Sequence, residues 1–477
     1  MKKIILITFL IGATLACSDD LSDVNTDSKS PTVVGADVLF SNATKSLFDQ
    51  MVNVSVNRNI FTMVAQYWTR TTYIEEANYN LIKRNINGSH WNILYTEVLK
   101  NLTESKLILS TNPNASIPEA QTLNQQAMLE ILQVFTWHVL VDTFGDIPYS
   151  EALNLNNSTP AYDDDKAIYE DLVIRLNAAI TQIEVGAGGF TAGTDYIYDG
   201  NASKWKKFGN SLKLRMALRY ADFDDAKATK MAKEAIESGV FESEGDNAFM
   251  EYEASAPNTN PIWNDLVESG RADYVAANTL VNTMNKLDDP RRDDYFAQNQ
   301  GEGVYIGGTY GGAGNTHGNS TIYNERFEDP TLEGVLIDYS EVEFLIAEAA
   351  ARGYISKNAQ THYNKAITSS IIYWGGTEVE ANTYIVQPEV QYIPSLWKER
   401  IGEQKWIALY NRGFEAWSSW RKLDFPQLPN AVEEDIPVPL RYTYPTTEAT
   451  LNGDMWKAAS SAIGGDEQQT PIFWDVN

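Results

Sequence analysis

The chain has 477 residues, 43% hydrophobic and 11% aromatic, and its 64 acidic against 37 basic side chains give a formal net charge of −27. Such an acidic surface argues against nucleic acid as a partner, because phosphates demand a basic footprint, and against docking on anionic lipid through a charged patch. The single cysteine, Cys17, leaves no disulfide framework and no thiolate metal site. The apolar content suffices for one large domain or two ordinary ones, and no Pro- or Ser-rich linker divides the chain.

In chain order the first element is a leader. Met1, Lys2 and Lys3 form a short positive region, Ile4 to Ile11 an apolar run, and small residues lead up to Cys17. This is the layout of a secretory signal, too short to span a bilayer stably. A lone cysteine at the cleavage position resembles the lipobox of bacterial lipoproteins, with Leu15 and Ala16 before it, although Thr14 stands where leucine is usual. The resemblance implies a signal peptide over 1–16 and a lipid on Cys17. Each buried methylene contributes about 0.8 kcal/mol, so several acyl chains together make a lasting anchor. The next residues, "SDDL" (Ser18 to Leu21), resemble the acidic stretch with which Bacteroidetes-type bacteria send lipoproteins to the outer face of the outer membrane. A solvated acidic linker is the other reading of these residues. Removing 1–16 takes away two lysines, so −27 becomes −29. Residues 17–34 are polar and turn-rich and read as a lipidated tether, leaving 35–477 as a single domain.

Helical periodicity then dominates, and beyond the leader no apolar stretch stands out as long enough to span a membrane. In "DDDKAIYEDLVIRLNAAITQIE", Ile168, Leu172, Leu176, Ala179, Ile180 and Ile183 share one face, and Asp163, Asp164 and Asp165 stand at the positive helix start. "YSEVEFLIAEAAARGY" predicts a helix with a Ser340–Glu343 capping box, a buried stripe of Val342, Leu345, Ile346 and Ala349, a Glu348–Arg352 pair and a stop at Gly353. Ala359, Tyr363 and Ala366 follow at the spacing of the second helix of a tetratricopeptide repeat, and Ala228, Ala232 and Ala235 are a weaker echo. The fold expected is all-α: stacked, repeat-like helix pairs with long irregular loops. The longest such loop is "GEGVYIGGTYGGAGNTHGNS" (301–320), eight of whose twenty residues are glycine, which no helix survives.

Catalytic patterns are scarce. The four histidines, His90, His138, His317 and His362, show no metal-ligand spacing and no "HExxH", and His138 reads as a packed helix residue. There is no "GxSxG" elbow and no free thiol for a Cys–His nucleophile. A carboxylate pair for glycoside hydrolysis stays open among 64 acids, although most read as caps and helix faces. No cofactor is indicated; "LDDPRRDDYF" lacks EF-hand spacing and reads as a turn, and a structural calcium is left open.

The positive signal is aromatic: 12 Trp and 25 Tyr. Such rings offer a flat apolar face with a polar tip, matching the C–H face and hydroxyl edge of a sugar. Most belong to the core, so those expected in loops are the better ligand candidates. They are Trp68 and Tyr73 in "AQYWTRTTYIEEANYN", Trp263 with Arg271 and Asp273 in "NTNPIWNDLVESGRADY", and Tyr305 and Tyr310 in the glycine-rich loop, edged by Asn315, His317 and Asn319. The loop glycines are expected to let the backbone approach a ligand closely.

Several motifs in order resemble the SusD/RagB-like nutrient-binding lipoproteins. They are "DTFGDIPYSEAL" (142–153), "SKWKKFGNSLKLRMALRYA" (203–221), "LDDPRRDDYF" (287–296), "YSEVEFLIAEAAARGY" (339–354), "EQKWIALYNRGFEAWSSWRKLDFP" (403–426) and "IPVPLRYTYPTTEATLN" (436–452). The resemblance implies a non-enzymatic, lipid-anchored protein on the outer membrane, facing the cell exterior. It would capture an oligosaccharide or other nutrient and pass it to a SusC-type TonB-dependent transporter. The shared motifs are mainly scaffold: Gly145 and Pro148 for a turn after a helix, and Trp406, Leu409, Tyr410 and Gly413 for a packing stripe. A surface glycoside hydrolase and a repeat scaffold without a small-molecule ligand are the alternatives.

Overall fold

A computed structural model describes residues 34–433 and 435–476; the leader, Cys17 and the "SDDL" stretch lie outside them. The frame is carried by α1 (Ala36–Val52), α2 (Lys100–Thr111), α3 (Glu119–Phe144), α4 (Asp165–Gln182), α5 (Ala202–Arg219), α6 (Asp225–Ser238), α7 (Tyr339–Ala351), α8 (Ala359–Trp374), α9 (Trp397–Ala408) and α10 (Gly413–Leu423). Consecutive helices pack as pairs, α3 on α4, α5 on α6 and α7 on α8, and the pairs stack through α4–α5 and α5–α7. This is the repeat-like all-α arrangement that the periodicity predicts. Strands are short and occur as three antiparallel pairs: β1 (Trp68–Arg70) with β5 (Tyr274–Ala276), β2 (Ile147–Pro148) with β3 (Tyr162–Asp163), and β4 (Ala248–Met250) with β6 (Gly334–Ile337).

Side-chain caps set where these helices begin, because the first backbone N–H groups have no partner within the helix. Asp164 accepts from Ala167 N (2.8 Å), Asn201 from Lys204 N (3.2 Å), Asp224 from Lys227 N (3.0 Å) and Asn358 from Thr361 N (2.8 Å). The α4 stripe is buried from Ile168 to Ile180, with Ile183 just beyond it. In α7 the cap is Asp338, which accepts from Glu341 N at 2.7 Å, and the expected Ser340–Glu343 box does not form. Ser340 instead donates to Ala366 O (2.9 Å), while Glu343 meets His362 (2.5 Å), so both tie α7 to α8. The Glu348–Arg352 pair is present at 2.8 Å, and Gly353 ends the run at φ +78°. Gly145 likewise ends α3 in the left-handed region, at φ +78°. The stripe over 406–413 is buried throughout but is not one helix: α9 ends at Ala408, and α10 starts at Gly413. Gly413 is required there, since a Cβ would stand 2.5 Å from the Phe61 carbonyl carbon.

Helix α3 is the centre. By length and composition it is apolar enough to cross a membrane, which the sequence reading passed over, yet its apolar window is wholly inside the fold. It is apolar all round because other elements cover every side. Its polar residues are paired. Fully buried Asp142 accepts from Tyr169, from Trp474 Nε1 (2.8 Å) and from Arg219 Nε (3.0 Å), and His138 lies 3.2 Å away. Arg219 continues to Glu415 (2.7 Å), Arg215 holds Glu341 (2.7 and 2.9 Å), and Arg412 joins Glu341 (2.9 Å) to Asp338 (2.6 Å). This chain of charges links α3, α5, α7 and α10. Burial pushes the Asp142 carboxyl up, but His138 and Arg219 outweigh it and hold the group well below the usual carboxylate range. The same contest holds Glu415 below the usual carboxylate range, with Arg219, Arg215 and Lys405 overcoming burial.

Removing one member of a buried pair strands the other without solvent. Asp142→Ala is therefore expected to cost about 3–5 kcal/mol, read as a lowered midpoint in urea denaturation.

Candidate functional site

The β1–β5 ladder sets one cleft. Its register places Arg70 opposite Tyr274, and the Arg70 guanidinium lies 4.6 Å from the centre of the Tyr274 ring. The chain leaving β1 is pinned to the one entering β5: Thr71 N donates to Asp273 O (2.9 Å) and Thr71 Oγ1 to Ala272 O (2.8 Å). It then turns sharply, with Tyr73, Tyr79 and Asn85 all left-handed at φ +52°, +60° and +52°. For a tyrosine that conformation costs about 1–2 kcal/mol, and such strain persists where the surroundings over-determine it, often at a functional site.

The turn brings Tyr73 to the mouth of a cavity of about 420 Å³ lined by Arg70, Arg84, Asp265, Arg271, Asp273 and Tyr274, with Ser55, Val56 and Asn57 completing it. The volume falls in the range of small-molecule sites. Tyr73 keeps 56% of its surface open. The guanidinium carbons of Arg84 and Arg271 stand 5.6 and 5.9 Å from its ring centre. Asp273 Oδ2 accepts from Arg271 Nε (2.6 Å) and Arg70 (3.3 Å), and buried Glu76 accepts from Arg84 Nε (2.5 Å). Burial raises the Tyr274 hydroxyl well above its usual value, so it stays protonated and donates to Asp265 (2.8 Å). The cleft thus offers a half-exposed aromatic ring with two guanidinium groups over it, and few apolar neighbours.

Three of the residues singled out from the sequence, Tyr73, Arg271 and Asp273, meet here. The others lie elsewhere. Trp68 is 2% exposed; it packs on Tyr274, Tyr323 and Phe327 and donates to the Tyr410 hydroxyl (2.7 Å), so its ring is core and not a wall. Tyr310, also 2% exposed, donates to Met63 O (2.7 Å), and Tyr305 is buried with its hydroxyl on Asp293. Asn315 is buried and bonds back to Thr309, Gly312 and Arg70, while Asn319 closes its own turn on Thr316 and Gly314. His317 donates to Tyr274 O (3.0 Å), and Trp263 is half-buried off the cavity lining. The glycine-rich segment is irregular, as expected, but it lies flat on the protein. A Cβ at Gly307 would stand 2.3 Å from Asn278 Cα, so the close approach its glycines allow is to the chain's own backbone.

Arg70 and Arg84 are the residues that the sequence reading missed; the available signal was basic residues bracketing tyrosines in an acidic chain. A larger and shallower cavity of about 710 Å³, around Ile82, Pro445, Trp456 and Gln469, also went unseen, because it joins segments distant in sequence. Among the described residues one carboxylate group has metal-like grouping: Asp146, Asp164 and Asp165, with ligand atoms within 4.8 Å. Each already serves the fold, Asp146 accepting from Asp165 N, Asp165 from Lys166 N and Phe473 N, and Asp164 as the α4 cap. Burial, aided by the neighbouring acids, lifts Asp146 to about 6 and Asp165 to about 7.

The sequence matches the SusD-like family described as "Starch-binding associating with outer membrane" over residues 28–445. The chain belongs to this family. No curated protein matches it in sequence. Among solved structures, a chitin-binding protein superposes with a TM-score of 0.81 at 26% identity, covering 93% of this chain and all of that one. A Bacteroidetes SusD-like protein gives 0.82 at 22% identity, covering 93% of this chain and all of that one, and shows the shared fold. The chitin-binding SusD homologue of Flavobacterium johnsoniae gives 0.78 at 24% identity, covering 92% of this chain and 99% of that one. The SusD-like chain is a binding protein and not an enzyme, which removes the glycoside hydrolase alternative.

Two substitutions separate core from cleft. Trp68→Ala is expected to destabilise by about 3–5 kcal/mol. Tyr73→Gly, which relieves the left-handed strain, is expected to leave unfolding free energy unchanged or raise it by about 1 kcal/mol. Chemical denaturation of both variants checks the contrast.

Proposed function

We propose that this SusD-like protein is a lipid-anchored receptor on the cell surface that captures a glycan at the Tyr73 cleft and hands it to a SusC-type TonB-dependent transporter. In this reading residues 1–16 are removed, Cys17 carries the lipid, 17–34 form the tether, and the helical domain follows. Family membership and the chitin-binding relative at 26% identity support the ligand class. The observation that carries the site is Tyr73, an open aromatic ring held in a strained backbone conformation between two arginines. The ring supplies the flat face for a sugar, and the guanidinium groups and Asp273 supply polar edges. Binding without chemistry suits a capture protein, whose ligand must leave unchanged.

A glycan array of neutral and acidic oligosaccharides, followed by calorimetry on the best ligand, tests this. Tyr73→Ala should weaken binding by about 1–3 kcal/mol, ten- to a hundred-fold, with the fold intact. Wild-type affinity in that variant would reject the cleft, and a wild type that binds nothing on the array would favour the scaffold alternative. For the anchor, Cys17→Ala is expected to leave the protein unprocessed or soluble, whereas normal membrane fractionation would reject lipidation.

A further inference from the structure

Three arginines converge on one cavity of a chain whose formal net charge is −27. Two of them are only partly engaged. Arg84 reaches Glu76 through Nε (2.5 Å) and Arg271 reaches Asp273 through Nε (2.6 Å); among the described residues neither guanidinium has another hydrogen-bond partner. Both terminal amino groups of each are therefore open. Arg70 differs: its side chain is buried, and it spends Nε on Thr72 O (3.2 Å) and one terminal group on Asp273 (3.3 Å), so it forms the floor.

The two carboxylates on the lining are already occupied. Asp273 Oδ2 is shared by Arg70 and Arg271, its Oδ1 accepts from the Thr72 hydroxyl (3.3 Å), and Asp265 accepts from Tyr274 (2.8 Å). Glu76 sits behind Arg84 and not on the lining. A sugar reaching Tyr73 would thus meet the two planar donor forks that stand over its ring. Single hydroxyls are met well by amide or hydroxyl side chains, whereas a guanidinium fork matches a group that presents two oxygens side by side. The acidic surface elsewhere repels anions, but at physiological salt that field decays within about 8 Å, leaving the local arginines to decide.

We infer that the Tyr73 cleft selects an anionic sugar, one bearing a carboxylate or a sulfate ester, over a neutral glycan. The inference rests on the capture reading above. Calorimetry on the lipidated, detergent-solubilised protein in 0.15 M NaCl tests it with trigalacturonate, a sulfated galactan tetrasaccharide, chitotetraose and maltotetraose. At least one anionic probe should bind ten-fold or more tightly than both neutral ones, and the two anionic arms separate carboxylate from sulfate. Arg271→Gln, at an exposed side chain, should cost the anionic probe about ten-fold, several times more than it costs either neutral probe. Arg84→Lys keeps the charge beside Glu76 but loses the fork; it should weaken the anionic probe with an unchanged unfolding midpoint. Neutral probes binding as tightly as the anionic ones, and weakened by Tyr73→Ala, would overturn the inference while leaving the capture reading standing. Equal losses for both ligand classes in Arg271→Gln would also overturn it. If no probe binds, the capture reading at this cleft fails and the selectivity with it.

Discussion

The buried ion-pair chain from Asp142 to Asp338 is the constraint on which the rest of the structure hangs. Charges out of water are tolerable only when each finds a partner in good geometry, so Asp142, Arg219, Glu415, Arg215, Glu341 and Arg412 admit essentially one arrangement of the helices that carry them. Trp474, donating to Asp142, fastens the segment that carries it to the same point.

From that centre the geometry passes outward to the cleft. Arg412 and Glu415 flank the corner between α9 and α10, where Gly413 lets the chain press against Phe61. Trp406 donates to Ala65 O (2.9 Å), Tyr67 donates back to Trp406 O, and Tyr410 receives Trp68. These contacts hold β1 against the frame, and β1 carries Arg70 and launches the strained turn that presents Tyr73. The open ring is therefore the end of a rigid path, which suits a receptor whose selectivity depends on holding a few groups still.

Much of the frame was legible in the sequence. The α4 stripe, the α7–α8 pair and the turn at Gly145 follow from local periodicity, caps and glycine, and those interactions are local in the fold as well. The α7 cap was misplaced by two residues because Ser340 and Asp338 both satisfy the local pattern, and only the packing of α8 draws Ser340 away to Ala366. The interrupted stripe at 406–413 failed for a similar reason: the break at Gly413 answers to Phe61, far away in the chain.

By itself the sequence determined the class of protein: ordered motifs over nearly the whole chain and an acidic composition without catalytic patterns. It also determined that the aromatic residues before position 80, together with Arg271 and Asp273, deserved notice. Only the tertiary structure decided which aromatics meet solvent. Trp68 and Tyr73 lie five positions apart in the same kind of segment, yet Trp68 is buried by a partner 342 residues away and Tyr73 is 56% exposed. Burial of a side chain is a sum over contacts from the whole chain, and no local spacing contains that sum.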